Sequence, residues 1–184
     1  KKAVENFVKE RPYFEECSLF MALKKANGGK CWNEWECFEA DPSELFMWKF
    51  IQYEFYNQWM DVKSYANSKG IKIIGDIPIY VAYDSADCWA NGDLFQLDNS
   101  KNPISVAGCP PDGFSATGQL WGNPLYDWEV HSSTDYRWWK HRIGYTAQLY
   151  DVIRIDHFRG FDEYYAIPSG AVDAIGGRWE KGPG

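Results

Sequence analysis

An apolar β-strand that ends in charged side chains is predicted for the stretch Asp151-Val-Ile-Arg-Ile-Asp-His-Phe-Arg-Gly-Phe161. Side chains at positions i and i+2 of a strand lie on the same face. Arg154 and Asp156 should therefore lie side by side where the strand ends, with His157 directed the other way or into the following loop. A carboxylate beside a permanent cation stays ionised, which suits a nucleophile better than a proton donor. From Arg-x-Asp alone, a structural ion pair is an equally good interpretation.

Two helix-then-strand units predict a parallel α/β architecture. The first helix of the pair should begin at Asp41-Pro42-Ser43-Glu44, which combines an acceptor side chain with proline at the first helical position, and end at Lys69-Gly70. Residues 71–81 follow as a predicted buried strand. A second helix covers about residues 135–149 and leads into the strand at 152–155. A repeated helix-to-strand order is typical of parallel sheets.

The segment 84–134 separates these two units and is rich in Gly, Pro, Asn and Asp. A connection this long is usually functional when it is ordered. It follows the carboxyl end of a predicted parallel strand, which is where α/β barrels build their active sites. Asp76 and Asp156 each follow the apolar part of a predicted strand, so both carboxylates should reach the same rim of one sheet. We therefore predict that 84–134 is an active-site loop or subdomain insertion.

Composition restricts the class of partner. The net charge of −7 argues against nucleic acid and against an anionic membrane surface as partners. Aromatic residues make up 18% of the chain, and such rings either fill a large core or stack on amphipathic ligands such as sugars. We expect a neutral substrate, with no nucleic-acid partner and no membrane partner.

The five cysteines form no C-x-x-C pair and are accompanied by only 3 histidines. This pattern predicts reduced intracellular thiols, with neither a zinc site nor a disulfide framework, and no metal or other cofactor is expected. The first residues are charged where a secretory signal would be apolar, so a cytoplasmic setting is expected. Neither end of the chain resembles a natural terminus, which suggests a segment of a longer protein.

Paired carboxylates and abundant aromatic side chains point to chemistry at a glycosidic bond. Such chemistry needs one carboxylate to attack and one carboxylic acid to protonate the leaving oxygen. Asp156, held by Arg154, fits the first role. Asp76, Asp162 and Glu163 are available for the second role, but none has an evidently apolar setting that would favour the protonated form.

Three long motifs occur in order along the chain. They are Gly75-Asp-Ile-Pro-Ile-Tyr-Val-Ala-Tyr-Asp-Ser-Ala-Asp-Cys-Trp89, Val106-Ala-Gly-Cys-Pro-Pro-Asp-Gly-Phe-Ser-Ala-Thr-Gly-Gln-Leu-Trp-Gly-Asn-Pro-Leu-Tyr126, and the stretch from Asp151 to Phe161. Together they resemble the 4-α-glucanotransferases (amylomaltases or disproportionating enzymes), glycoside hydrolase family seventy-seven. The resemblance implies a (β/α)₈ TIM barrel. Residues 1–184 would be a central segment of it, with about the third and fourth strands and their helices, and with the barrel start and end missing.

The same resemblance implies an activity and roles for individual residues. Family members transfer part of an α-1,4-glucan or malto-oligosaccharide to the 4-OH of an acceptor glucan or glucose, with retention of configuration. Asp156 matches the nucleophile that forms the β-glucosyl-enzyme intermediate, and Arg154 matches the arginine that orients it. Asp76 matches a supporting aspartate at the end of the third barrel strand, and His157 matches a histidine that contacts the sugar.

Further sugar contacts are implied in the segment 84–134. Trp121 and Asn123 match positions that contact substrate, and residues 109–119 match a flexible loop that covers the active site. Phe114 and Gln119 of this loop are included among the substrate-binding candidates. Many members carry tyrosine where this chain has Gly113, so one stacking surface for the acceptor is absent.

The resemblance also implies what these residues do not supply. In the family, the acid/base glutamate and the aspartate that stabilises the transition state follow the stretch that ends at Gly184. We therefore predict negligible activity for the 184 residues alone, and the remainder of the parent chain as their partner. Two alternatives stay open, namely a non-catalytic carbohydrate-binding fragment and a hydrolase of the α-amylase superfamily. A plant relative would imply a plastid location.

Overall fold

The computed structural model describes all 184 residues and has the predicted α/β class. Six α-helices and six β-strands form its regular structure. In chain order these are α1 (Lys2–Glu10), α2 (Pro12–Ala26), α3 (Pro42–Ser68), β1 (Ile74–Pro78), α4 (Ala86–Ala90), β2 (Ser105–Cys109), β3 (Gln119–Pro124), α5 (Trp128–Ser133), α6 (Arg137–Leu149), β4 (Val152–Asp156), β5 (Glu163–Pro168) and β6 (Arg178–Lys181).

The two predicted helix-then-strand units are present, and their strands lie side by side. Helix α3 leads into β1 and helix α6 leads into β4, and the two strands pair in parallel. In the register of this pair, Asp76 lies opposite Arg154 and Pro78 lies opposite Asp156. The parallel arrangement predicted from the order of elements is confirmed, and it brings the charged ends of both strands to the same edge.

Local signals set the limits of the long helix α3. The side chain of Asp41 accepts hydrogen bonds from the backbone N–H groups of Ser43 and Glu44, which would otherwise lack partners at the helix start. Gly70 follows the last turn with a φ of +75°, a conformation that glycine adopts without strain. Both predicted boundaries of this helix are therefore confirmed.

A single carboxylate joins the helix to both parallel strands. Oδ2 of Asp151 accepts hydrogen bonds of 2.8 Å from the backbone N–H of Ile73 and of 2.8 Å from Nδ2 of Asn67. Asp151 immediately precedes β4, Ile73 immediately precedes β1, and Asn67 lies in the last turn of α3. These hydrogen bonds, the one from Ile73 first, lower the pKa of Asp151 and keep it charged. The starts of β1 and β4 are thus held together by Asp151.

The prediction of a buried strand over 71–81 is wrong in part. The strand covers only Ile74–Pro78, and its side chains alternate between exposed and buried rather than being buried throughout. Ile71 and Ile74 are exposed, whereas Gly75 and Ile77 are buried. The physical reason is that one face of the pair β1–β4 has no layer packed on it within residues 1–184.

The second sheet was not predicted. It is antiparallel, has the order β3-β2-β5-β6, and takes two of its strands from the segment 84–134. Close approach of its strands depends on Gly108, because a Cβ there would lie 2.1 Å from the carbonyl oxygen of Gln119 and 2.4 Å from Cδ1 of Ile167. Two strands of this sheet, β2 and β3, therefore lie within the segment between the two parallel strands.

The main core lies around the end of β1 and is largely aromatic. His131 is completely buried there, against the rings of Tyr126 and Trp128, and neither of its ring nitrogens has a hydrogen-bonding side chain or backbone partner. Burial lowers the pKa of His131 below its ordinary value. Among the helices, none is both long enough and apolar enough to cross a membrane.

Candidate active site

Three charged side chains meet where β1 and β4 end. Nε of Arg154 lies 2.9 Å from Oδ1 of Asp76, and Nη2 of the same guanidinium lies 3.0 Å from Oδ1 of Asp156. Arg154 therefore bridges the two carboxylates that the sequence places on one rim. The parallel register produces this geometry, because it sets Asp76 directly opposite Arg154, and Asp156 follows on the same face of β4.

Asp156 is bound by Arg154 but remains exposed to solvent. More than half of the side-chain surface of each of the three residues is exposed, and Oδ2 of Asp156 makes no hydrogen bond within the chain. Two carboxylates share one guanidinium in this cluster. The second oxygen of Asp156 is thus free to approach an electrophilic carbon from the open side of the sheet.

His157 has a left-handed backbone conformation and a half-buried side chain. Its φ of +53° is uncommon for a residue other than glycine, and such conformations concentrate at functional sites. Its Nε2 is buried without a hydrogen-bond partner, and its ring packs edge-on against the indole of Trp121 with 4.9 Å between centroids. Burial lowers the pKa of His157, although the neighbouring carboxylate of Asp156 acts in the opposite direction. The imidazole therefore packs on Trp121 next to Asp156 in the chain.

Trp121 forms an open aromatic wall next to this histidine. It lies on β3, is 36% exposed, and has the ring of Tyr80 on its other side at 6.3 Å. Its Nε1 donates a 3.0 Å hydrogen bond to Oε1 of Gln119, which fixes the direction of the indole. The structure therefore brings Trp121, His157 and Gln119 together, and it does not bury Trp121 in the core.

Asn123 has an internal partner. Its Nδ2 donates a 2.8 Å hydrogen bond to the carbonyl of Val81, which links β3 to the segment that leaves β1. This contact gives Asn123 a role in holding that segment, and its Oδ1 remains for a ligand. Phe114 is fully exposed in the loop between β2 and β3, and the structure does not bring it together with the ion cluster.

Two residues near the site were missed by sequence reasoning. Tyr126 is buried, and its hydroxyl donates a 2.7 Å hydrogen bond to the carbonyl of Ile79. Arg142, on α6, donates to the carbonyls of Pro78 and Ile79. No local pattern marks either residue, because their partners lie 47 and 63 to 64 positions away in the chain.

Cys109 is not an alternative nucleophile. Burial raises the pKa of the Cys109 thiol, so this cysteine is not activated as a nucleophile. No group of three or more His, Cys, Asp or Glu side chains is arranged to hold a metal ion. The chemistry available at this edge is that of an ionised carboxylate beside an aromatic wall.

Comparison with known proteins agrees with the motifs. The model of the 4-alpha-glucanotransferase family matches residues 1–184. The chain belongs to this family. A 4-alpha-glucanotransferase from Clostridium butyricum is 48% identical over 97% of this chain, and one from Aquifex aeolicus is 42% identical over 98% of it. The chain spans only 40% of the length of each of these relatives.

Solved structures of 4-alpha-glucanotransferase relatives have the same fold. The amylomaltase from Streptococcus agalactiae, in complex with acarbose, is 39% identical and superimposes with a TM-score of 0.89 over 99% of this chain and 40% of its own. The amylomaltase from Corynebacterium glutamicum, at 20% identity and a TM-score of 0.79, shows similarity of fold over 97% of this chain and 25% of its own.

Proposed function

We propose that these residues form part of the catalytic centre of an enzyme that moves a segment of an α-1,4-glucan to the 4-OH of an acceptor glucan or glucose. The observation that carries this proposal is the bridge in which Arg154 holds Asp156 and Asp76 at the ends of β1 and β4. Membership of the 4-alpha-glucanotransferase family and the acarbose complex of a relative support malto-oligosaccharides as the substrate class.

The proposed reaction is a retaining double displacement at Asp156. Its free carboxylate oxygen attacks the anomeric carbon of the donor glucan, the bond from that carbon to the glycosidic oxygen breaks, and the leaving oxygen takes a proton from an acid. The 4-OH of the acceptor then attacks the glucosyl-enzyme intermediate and gives its proton to the same group, now a base. Two inversions at one carbon give net retention.

Arg154 and Asp76 act in this reaction by holding the nucleophile. A guanidinium hydrogen-bonded to Oδ1 of Asp156 fixes the orientation of the carboxylate, and Asp76 anchors the other side of that guanidinium. Because Arg154 already bridges two carboxylates, Asp76 is a supporting residue and not the proton donor. The acid/base glutamate and the carboxylate that stabilises the transition state are proposed to lie in other parts of the parent chain.

The aromatic wall is proposed to orient the donor sugar. Trp121 offers a partly exposed indole face, and the ring of His157, the residue after Asp156, packs against it. Gln119 and Asn123 support this wall or add polar contacts, and the exposed ring of Phe114 is available to a sugar on the acceptor side. We further propose that β1 and β4 are neighbouring strands of a partial TIM barrel, into which the segment 84–134 is inserted.

Trapping of the intermediate would test the assignment of Asp156. A full-length family chain that carries these residues should react with a fluorinated maltosyl fluoride, and peptide mass spectrometry should locate the sugar on Asp156. Asp156→Asn should abolish both the label and the disproportionation of maltotriose, with a fall of about 10³-fold or more. Labelling of any other carboxylate would refute the assignment.

The isolated residues 1–184 supply a second test. They should release no glucose and form no longer maltodextrins from maltotriose, because a nucleophile without its acid cannot expel an unactivated sugar. Turnover by this chain alone would refute the proposal that the acid/base group lies outside residues 1–184. Product analysis with the full-length chain separates transfer, which yields longer glucans, from hydrolysis, which yields only shorter ones.

A further inference from the structure

The guanidinium of Arg142 binds backbone carbonyls at the end of β1. Its Nη2 donates a 2.7 Å hydrogen bond to the carbonyl of Pro78, and its Nη1 donates one of 3.2 Å to the carbonyl of Ile79. The indoles of Trp138 and Trp139 lie against the same guanidinium, at 5.2 and 5.0 Å from its centre. A planar cation with several donors suits this position, because it can bind two carbonyls and stack on rings at once.

These contacts hold the segment at which the parallel strand becomes a loop. Pro78 lies opposite Asp156 in the register, so its carbonyl is at the same level as the proposed nucleophile. The hydroxyl of Tyr126 also donates to the carbonyl of Ile79, at 2.7 Å. Pro78 is the last residue of β1 and Ile79 follows it, so side-chain donors bind both carbonyls where the strand ends.

The held segment contacts the residues around Asp156 in two places. The ring of Tyr80 packs between the rings of Tyr126 and Trp121, at 5.8 and 6.3 Å, and Trp121 in turn packs on His157. The side chain of Ile79 also reaches Gly160, where a Cβ would lie 2.7 Å from Cδ1 of Ile79 and 3.4 Å from the ring of His157. Movement of residues 78–80 would therefore be transmitted to both His157 and Trp121.

We infer that Arg142 is a positioning residue for the reaction at Asp156. It contacts neither the ion cluster nor the open face, and it acts by fixing residues 78–80, on which the wall formed by Trp121 and His157 rests. This inference depends on the proposed function. A displacement of about 1 Å at a reacting group can cost about 100-fold in rate, so a defect at this distance should affect catalysis more than binding.

The test is Arg142→Lys in a full-length family chain that carries these residues and disproportionates maltotriose. Lysine keeps the charge but cannot bind both carbonyls in one plane or stack on two indoles. We expect kcat per folded molecule to fall by about tenfold or more while KM changes by less than about threefold. Arg137→Lys is the matched control, because Arg137 lies on the same helix and is exposed, and its side chain makes no hydrogen bond or ion pair; the kcat of this variant should be unchanged.

A second substitution keeps the inference testable if Arg142→Lys does not fold. Tyr126→Phe removes only a hydroxyl, which donates to the Ile79 carbonyl that Arg142 also binds and which accepts a 3.4 Å hydrogen bond from Nη1 of Arg142. It should lower kcat in the same direction by a smaller factor. If both side chains act on this carbonyl, the double variant should lose less activity than the product of the two single losses.

Two results would overturn the inference. One is a lower melting temperature with kcat per folded molecule unchanged in Arg142→Lys, or in Tyr126→Phe if the first variant does not fold. The other is a rise in KM alone. Asp156→Asn, measured alongside, distinguishes failure of the proposed function from failure of the positioning role of Arg142. If it stays active, the proposed function fails; if it is inactive while the Arg142 and Tyr126 variants are normal, only the positioning role fails.

Discussion

Replacing Gly75 by alanine should destabilise the chain by about 1 to 3 kcal/mol, the usual cost of forcing an extra methyl group into a packed site. Gly75 is buried in β1, and a Cβ there would lie 2.1 Å from Cδ2 and 2.3 Å from Cγ of Tyr150. Ordinary van der Waals contact begins at 3.4 Å, so the ring or the strand would have to move by about 1.3 Å. The ring has little room, because it packs edge-on against Trp59.

Urea and thermal unfolding followed by circular dichroism measure this cost. For a chain of this size, the expected loss corresponds to a fall in melting temperature of roughly 3 to 9 °C. Gly144→Ala is the matched control. Gly144 lies on α6 with no atom within 4 Å of the added methyl group, so the same change should stabilise by about 0.5 to 1 kcal/mol.

A second substitution, at Tyr150, tests whether contact with its ring causes the loss of stability. Gly75→Ala combined with Tyr150→Leu should be more stable than the sum of the two single effects, because the leucine vacates the space that the methyl group needs. If Gly75→Ala alone stays within about 0.5 kcal/mol of the unsubstituted chain, the packing argument for β1 is refuted.

Three further outcomes are expected. Burial lowers the pKa of His131 from 6.5, so the unfolded chain takes up a proton at a higher pH than the folded chain does. Its contribution to stability should be complete above about pH 6.5 and should fall as the pH drops below that value, by at most about 1.4 kcal/mol per pH unit. The pKa of His157 is also lowered, so its contribution to stability falls with decreasing pH in the same way. Urea unfolding of His131→Phe should therefore show a smaller pH dependence of the free energy of unfolding, but not its complete loss. Phe114→Ala should leave the free energy of unfolding within about 0.5 kcal/mol, because the ring is fully exposed; a rise in KM for the acceptor in the full-length chain would then report sugar contact. Ser85→Ala should cost about 1 kcal/mol in urea unfolding, because it removes the side-chain acceptor for the Cys88 N–H at the start of α4.

The elements that local chemistry specifies were predictable from the sequence. Asp41-Pro42 and Gly70 mark the limits of α3 because capping depends on side chains within three positions of the helix ends. The pairing of Arg154 with Asp156 follows from the two-residue period of a strand, and the approach of Asp76 follows from the parallel register. The helix limits and the pairing of Arg154 with Asp156 needed no knowledge of distant contacts, whereas the approach of Asp76 needed the expectation that the two strands are parallel neighbours.

The antiparallel sheet and the wall around His157 were not predictable in this way. Strand β2 has the sequence Ser-Val-Ala-Gly-Cys and β3 contains glycine and proline, so neither shows strong alternation or β propensity. Their pairing depends on contacts that are distant in the sequence, such as the close approach at Gly108. The left-handed backbone of His157 likewise has no local signal, because glycine or asparagine would be the expected residue there.

The hydrogen bonds of Asp151 have a consequence for how the chain tolerates insertions and deletions. They fix the starting points of β1 and β4, and Arg154 lies two residues after the first residue of β4 while Asp76 lies two residues after the first residue of β1. Adding or removing one residue in either interval would turn a charged side chain to the opposite face of the sheet. Length changes in related sequences should therefore be absent from these two short intervals and be concentrated elsewhere, for example at the surface turn around Gly28-Gly29.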